Sequence, residues 1–361
     1  MELAQVINTV GDVNMLVVGG VAIGFLFGAF AQRSRFCLRS ATIEFRRREP
    51  GTKLAVWLLV FSVALTGTQA AIFAGWLDVS QTRQLATTGS MSGAAIGGLM
   101  FGVGMICARG CASRLLVLSA NGNLRALLSG LIFAVTAQAA YRGALAPLRA
   151  EISSWWLIEG GPDRSLLTWM GLDGRAGIAF GLIWLVAGLA LATHRRVGLN
   201  IWIGSIGAGV AIVAGWLYTY AVSQASFDIV PVESLTFSGP SADLLMLTVA
   251  PHEGAFDFGI GIMPGVFLGS FTAALLAGEL KLEGFQGGHS MRRYIIGAIL
   301  MGFGAMLAGG CAVGAGISGG SILALTAWTA LVGMWGGAML TDWVFAQVDE
   351  DTGKVSAPLN A

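Results

Sequence analysis

The sequence predicts an all-α, polytopic membrane protein, and three observations predict it. Of its 361 residues, 55% are hydrophobic and only 11% charged, where soluble domains carry about 25% charge. The apolar residues gather in runs long enough to cross a bilayer. Two glycine-rich segments carrying cysteine recur 200 residues apart, Gly102 to Ala112 and Gly302 to Ala312. A water-soluble fold would have to bury nearly every apolar run, which surface-to-volume scaling forbids. The net charge of +1 identifies no partner. No basic patch interleaved with aromatics points to nucleic acid.

A membrane helix needs about 20 apolar residues. Nine segments qualify: 15–31, 54–76, 91–108, 116–140, 177–193, 200–222, 258–278, 294–310 and 321–345. The first has no basic region before it and no cleavage site after it. It is therefore expected to be retained as a span and not removed as a signal peptide. Glycines at small-xxx-small spacing, such as Gly20, Gly24 and Gly28, suit close helix packing in lipid. Stretches 141–176 and 223–257 are expected to be longer connections, broken by Pro147, Pro162, Pro231, Pro240 and Pro251. Trp155, Trp156 and Trp169 in the first of them suit short interfacial helices.

Nine spans place the termini on opposite faces. With the N-terminus outside, the inside loops hold 16 of the 21 Lys and Arg residues and the outside loops hold 5. The positive-inside rule then sets the N-terminus outside and the C-terminus in the cytoplasm, and the acidic tail barely opposes it. Span three aligns with span eight, and an odd number of crossings separates them. The chain is thus expected to be a single membrane domain over 1–361, with inverted, pseudo-twofold repeats at about 15–140 and 200–345. A span at about 177–193 links the repeats.

Six of the eleven positions agree between the two glycine-rich segments, including Gly110-Cys111-Ala112 and Gly310-Cys311-Ala312. Glycine-broken helices in matching halves are the best pointer to a transport site near the bilayer midplane. The stretch Gly310 to Gly320 is too dense in glycine for a stable α-helix, each glycine costing about 1 kcal/mol relative to alanine. Irregular backbone at membrane depth survives only when buried in protein or lining a cavity. A re-entrant loop carrying Cys311 is therefore expected. A helix starting after such a break offers free N–H groups and a positive dipole end, an anion site. The first copy is expected to do the same through Arg109-Gly110-Cys111-Ala112-Ser113.

Four cysteines occur, at 37, 107, 111 and 311, too few and too apolar in setting for a secreted disulfide framework. His194, His252 and His289 stand near no cysteine, so no metal or other cofactor is expected. A neutral thiol is soft and polarisable, a weak donor and a weak acceptor. It contacts a sulfur-bearing anion without repelling it, and conduction needs binding weak enough to release. Cys37 lies among Arg33, Arg35 and Arg39. Two readings fit: topological arginines around a packed thiol, or an anion exit lined by guanidinium groups. Cys107, four residues before Cys111, is read as a packed small residue, although a helical face would also let the two bond or bind a metal. Arg109 either sets topology or attracts an anion.

The segment QRSRFC ending at Cys37, the Gly-Cys-Ala at Cys111 and LAGGCAVGAG at Leu307 to Gly316 closely resemble the YeeE/YedE family of bacterial membrane proteins. The resemblance implies an hourglass-like α-helical fold in an inner membrane and import of thiosulfate, passed between Cys37, Cys111 and Cys311. It also implies a cytoplasmic sulfur-carrier partner of the TusA type. Arg35, Arg109, Gly110, Gly310 and Cys107 are supporting candidates. Where familiar members often read Ala-Gly-Gly-Cys, this chain has Ala108-Arg109-Gly110-Cys111 with Arg114 after it. The added cations either strengthen anion attraction or change the preferred anion to another sulfur or selenium compound. A membrane-embedded sulfurtransferase forming a persulfide is the enzyme alternative, although no cysteine has a nearby base in sequence. A structural subunit with idle thiols is the third reading.

Overall fold

The computed structural model describes residues 11–172, 174–249, 256–285 and 288–351. Pro251, His252 and most of the acidic tail lie outside the described residues, as does the side chain of His289. In chain order the helices are α1 (Asp12–Ser34), α2 (Leu38–Arg46), α3 (Thr52–Phe73), α4 (Arg83–Ala86), α5 (Met91–Cys107), α6 (Ala112–Ala120), α7 (Leu124–Arg142), α8 (Ala146–Ser154), α9 (Leu166–Trp169), α10 (Gly174–His194), α11 (Leu199–Ala225), α12 (Ser238–Val249), α13 (Phe258–Leu276), α14 (Gly288–Leu307) and α15 (Leu325–Asp351). A π-helix spans Gly314–Gly319. Among the described residues the named strands are two, of two residues each: Gly89–Ser90 pairs antiparallel with Leu157–Ile158.

Seven helical segments among the described residues are long and apolar enough to cross a membrane. They cover the first seven expected spans. The eighth and ninth expected spans fall on α14 and α15, helices of 20 and 27 residues. α15 starts four residues later than expected, because residues 321–324 close a turn with Leu323 left-handed at φ 55°. Trp155, Trp156 and Trp169 are more than 60% exposed and flank the short helices α8 and α9, as interfacial anchors do.

Glycine sets the helix crossings. An added Cβ would sit 2.3 Å from Phe258 O at Gly20, 2.7 Å from Ile262 O at Gly24 and 2.3 Å from Val266 O at Gly28. Gly261, Gly265 and Gly269 face Val17, Val21 and Phe25 in the same way. α1 and α13 thus pack in parallel, backbone on backbone, along two facing glycine rows. α5 and α14 cross antiparallel: Gly97 meets Gly304, and Gly104 meets Gly297. The helix contacts come in matched pairs: α1 with α13 and α11 with α3, α5 with α15 and α14 with α7. α10 packs on α3 at the periphery.

One segment departs from the expected connections. Residues 226–237 start exposed, at Phe227 and Ile229, and turn inward over 232–237. Leu235 and Phe237 are fully buried, and Ser318 Oγ donates to Leu235 O at 2.7 Å. α12 follows, inside a stretch expected to be a connection. Pro240 sits in its first turn, where a missing N–H removes no intrahelical bond.

Candidate functional site

Each of the three candidate thiols follows the same local device. A helix ends, the next residue but one before the cysteine turns left-handed, and a new helical segment starts at the cysteine. Arg35 (φ 53°) precedes Cys37, Arg109 (φ 59°) precedes Cys111, and Gly309 (φ 77°) precedes Cys311. Phe36, Gly110 and Gly310 donate back to Ala31 O, Met105 O and Ala305 O at 3.2, 3.1 and 2.9 Å. These are Schellman-type closures. Glycine takes the left-handed position freely, whereas arginine pays about 1 kcal/mol. Arg109 thus occupies the backbone place that Gly309 holds 200 residues later.

Cys37 and Cys111 are the N-caps of α2 and α6. The Ser40 and Arg114 amides lie near their sulfurs without closing a regular cap. Gly314 N–H donates to Cys311 Sγ at 3.4 Å. The first-turn amides of three helical segments therefore point toward the three sulfurs, the arrangement that favours negative charge.

The fold brings two of the thiols together. The Cys37 and Cys111 side chains adjoin, and Cys111 Sγ lies 3.4 Å from Ser113 Oγ. Cys311 belongs to the same buried cluster as Cys111, on the other glycine-broken segment. Exposure is 7% at Cys37, 0% at Cys111 and 1% at Cys311, so the thiols are shut off from water. All four cysteines are free. Cys107 lies beside Arg293.

The supporting residues divide. Arg35 is exposed and paired with Glu279 at 3.2 Å, so its backbone turn is what it contributes to the cysteine segment. Arg109 is half-buried. The two loop glycines differ. A Cβ at Gly110 would meet the flexible end of Leu115 at 3.3 Å, whereas one at Gly310 would meet Ala315 N at 2.6 Å. Gly310→Ala is therefore expected to cost about 1–3 kcal/mol of stability and most of the activity, and Gly110→Ala little of either. Thermal melts and uptake by the two variants side by side check this.

The Cys311 segment is held by polar groups the sequence reading did not single out. Gln69 Nε2 donates to Ser321 O at 2.7 Å, Trp216 Nε1 to Ser321 Oγ at 3.2 Å and Trp328 Nε1 to Gly320 O at 3.2 Å. They satisfy backbone and hydroxyl groups that lipid could not. Gly314 packs against Thr236, whose Oγ1 would lie 2.2 Å from an added Cβ. Leu235 and Thr236 thus close over the π-helix.

Glu233 lies on the same segment. Burial raises its carboxyl from the ordinary 4.5 to about 7, with Asp257 and Asp243 adding to the rise and Arg83 opposing it. Thr219 Oγ1 pins its backbone on both sides, donating to Glu233 O at 2.7 Å and accepting from Glu233 N at 3.1 Å. A raised carboxyl leaves stability fully present below the unfolded value near 4.5. That stability is lost as pH rises through about 7. The melting temperature is expected to fall across this window by the equivalent of ~1–3 kcal/mol. Glu233→Gln is expected to flatten that part of the profile. A slope unchanged in the variant assigns the pH dependence elsewhere.

Known proteins resemble this chain over most of its length. The family described as sulphur transport matches residues 33–340. A thiosulfate transporter TsuA from Spirochaeta thermophila is 30% identical over 334 residues, covering 88% of this chain and 96% of the relative. A thiosulfate transporter TsuA from Escherichia coli is 25% identical over 359 residues, covering 91% and 94%. With its multi-pass helical fold and a family match over most of its length, the chain belongs to the sulphur transport family, YeeE/YedE, and is a transporter and not an enzyme.

Proposed function

We propose that this protein is an inner-membrane permease that imports a sulfur-containing inorganic anion, thiosulfate foremost, along a path of neutral thiols at Cys311, Cys111 and Cys37. The observation that carries the reading is the meeting of Cys37 and Cys111, from distant parts of the chain, at a water-excluded point where two helices begin. A soft thiol pair backed by helix N-termini suits an anion with a terminal sulfur. The two relatives named thiosulfate transporter support the substrate.

In this reading nine spans cross the bilayer, with the N-terminus outside and the C-terminus in the cytoplasm. The halves are inverted repeats. The reciprocal Gly97–Gly304 and Gly104–Gly297 contacts support this, since the 200-residue offset exchanges one pair for the other. Parallel packing of α1 with α13 and antiparallel crossing of α5 with α14 suit the alternation of nine spans. Cys311 then faces the outside, and Cys111 and Cys37 the cytoplasm, where a TusA-like carrier would receive the sulfur compound. The test is growth of a sulfur-auxotrophic host with this chain as its only importer, on thiosulfate, sulfate or selenite. Growth on thiosulfate is expected, and its absence overturns the reading.

A further inference from the structure

Arg39 and Arg114 follow Cys37 and Cys111 by two and three residues, in the first turns of α2 and α6. Both are half-buried. Each keeps a buried N–H atom, Arg39 Nε and Arg114 Nη1, without a hydrogen-bond partner among the described residues. Arg114 neighbours Cys37, Cys111, Arg35 and Glu279; Arg39 neighbours Cys37, Arg109, Arg293 and Asp342. The acids within range are engaged elsewhere. Glu279 accepts from Gln32 Nε2 at 2.8 Å and from Arg35 at 3.2 Å. Asp342 is held by Arg46 and by Arg47. Glu44, which faces the nearby Lys53, takes the backbone amides of Gly51 and Leu54 at 3.0 and 2.8 Å.

Buried cations are normally paired, and an orphaned buried donor is costly. Two guanidinium groups that share Cys37 as a neighbour, one of them also bordering Cys111, call for a doubly charged counter-ion, and planar guanidinium forks match oxyanion geometry. We propose that Arg39 and Arg114 form a seat for a tetrahedral dianion, reading its oxygens, while Cys37 and Cys111 read its terminal sulfur. This rests on the permease reading and adds a division of labour to it. Sulfate, which has oxygens at all four corners, fits the arginine side and finds nothing to offer the thiols. It should occupy the seat and compete with thiosulfate without being relayed.

The experiment uses the full-length purified protein and measures equilibrium binding of radiolabelled sulfate and thiosulfate. Arg39→Gln and Arg114→Gln should each weaken both ions at least tenfold, with Arg→Lys variants intermediate. The exposed Arg48→Gln should weaken neither. Cys111→Ala should weaken thiosulfate and leave sulfate within about twofold. Unchanged sulfate binding in folded Arg39→Gln and Arg114→Gln proteins overturns the proposal. Should the glutamine variants fail to fold, the wild-type protein still decides, because sulfate that does not compete with thiosulfate also overturns it. Proteoliposomes separate this from the permease reading: arginine-dependent dianion binding without thiosulfate uptake would sink the permease and leave the seat standing.

Discussion

Replacing Cys111 or Cys311 by alanine is expected to take thiosulfate uptake to background while the protein stays folded. The change removes one sulfur from a well-packed site and leaves the surrounding helices untouched, so the stability loss stays near 1 kcal/mol. The transport loss is larger. Both thiols are fully buried, and a hydrogen bond to an ion is worth about 1.5–3 kcal/mol. If the anion passes these water-excluded thiols, losing one such contact slows passage about 10–150-fold, and an anion left with no partner at that point adds the cost of an unsolvated charge. Cys107→Ala serves as the contrast, because Cys107 ends α5 beside Arg293 and does not stand at a helix start; its uptake should stay near wild type. Radiolabelled thiosulfate uptake into vesicles, with size-exclusion profiles as the folding check, reads all three variants. Normal uptake by Cys111→Ala contradicts the thiol path. A persulfide mass trapped on any cysteine during turnover would move the protein toward sulfur transfer, since a passing anion leaves none.

The spans were legible because lipid imposes length and apolarity on each of them; each expected segment falls largely on helix, although the fourth, 116–140, is interrupted at 121–123 between α6 and α7. The glycine rows at Gly20, Gly24 and Gly28 were legible for the same reason: close backbone approach leaves a regular spacing. The site was less so. That Cys37 meets Cys111 depends on how α1, α2 and α6 pack, which no local pattern encodes. The left-handed turn before each thiol had a signal, the alignment of Arg109 with Gly309, but arginine there reads as charge before it reads as backbone. The glycine-dense run after Cys311 did break the α-helix, yet it kept one π-turn, because Gln69, Trp216 and Leu235 from distant segments supply its partners. α12 has no such signal, because Pro240 reads as a loop residue unless its place in a first turn is known. In sequence Arg114 reads only as an added cation; that its Nη1 lacks a partner among the described residues is visible in three dimensions alone.

Placing valine at Gly104 or Gly297 is expected to remove nearly all folded protein, a loss of about 4 kcal/mol or more. A Cβ at Gly104 would lie 2.5 Å from Gly297 O and 2.7 Å from Met301 N, and one at Gly297 would lie 2.5 Å from Ala108 N and 2.7 Å from Gly104 O. Backbone opposes backbone on both sides, so no side chain can step aside and the helices must part. Because both substitutions press on one contact, the double variant should cost less than the sum. Gly130→Ala in α7, where an added Cβ meets nothing within 4 Å, should instead stabilise its helix by up to about 1 kcal/mol. Folded yield in detergent and melting temperature separate these outcomes, and a well-folded Gly104→Val would mean that the crossing is not a constraint. The crossing matters beyond stability. The Gly104–Gly297 contact adjoins the end of α5 that leads into Cys111, and the Gly97–Gly304 contact adjoins the end of α14 that leads into Cys311. Seven residues of helix, about 10 Å, separate the two contacts. The same four glycines that let α5 and α14 touch therefore fix how far apart the two buried thiols stand, and a milder substitution such as Gly97→Ala should impair transport before it impairs folding.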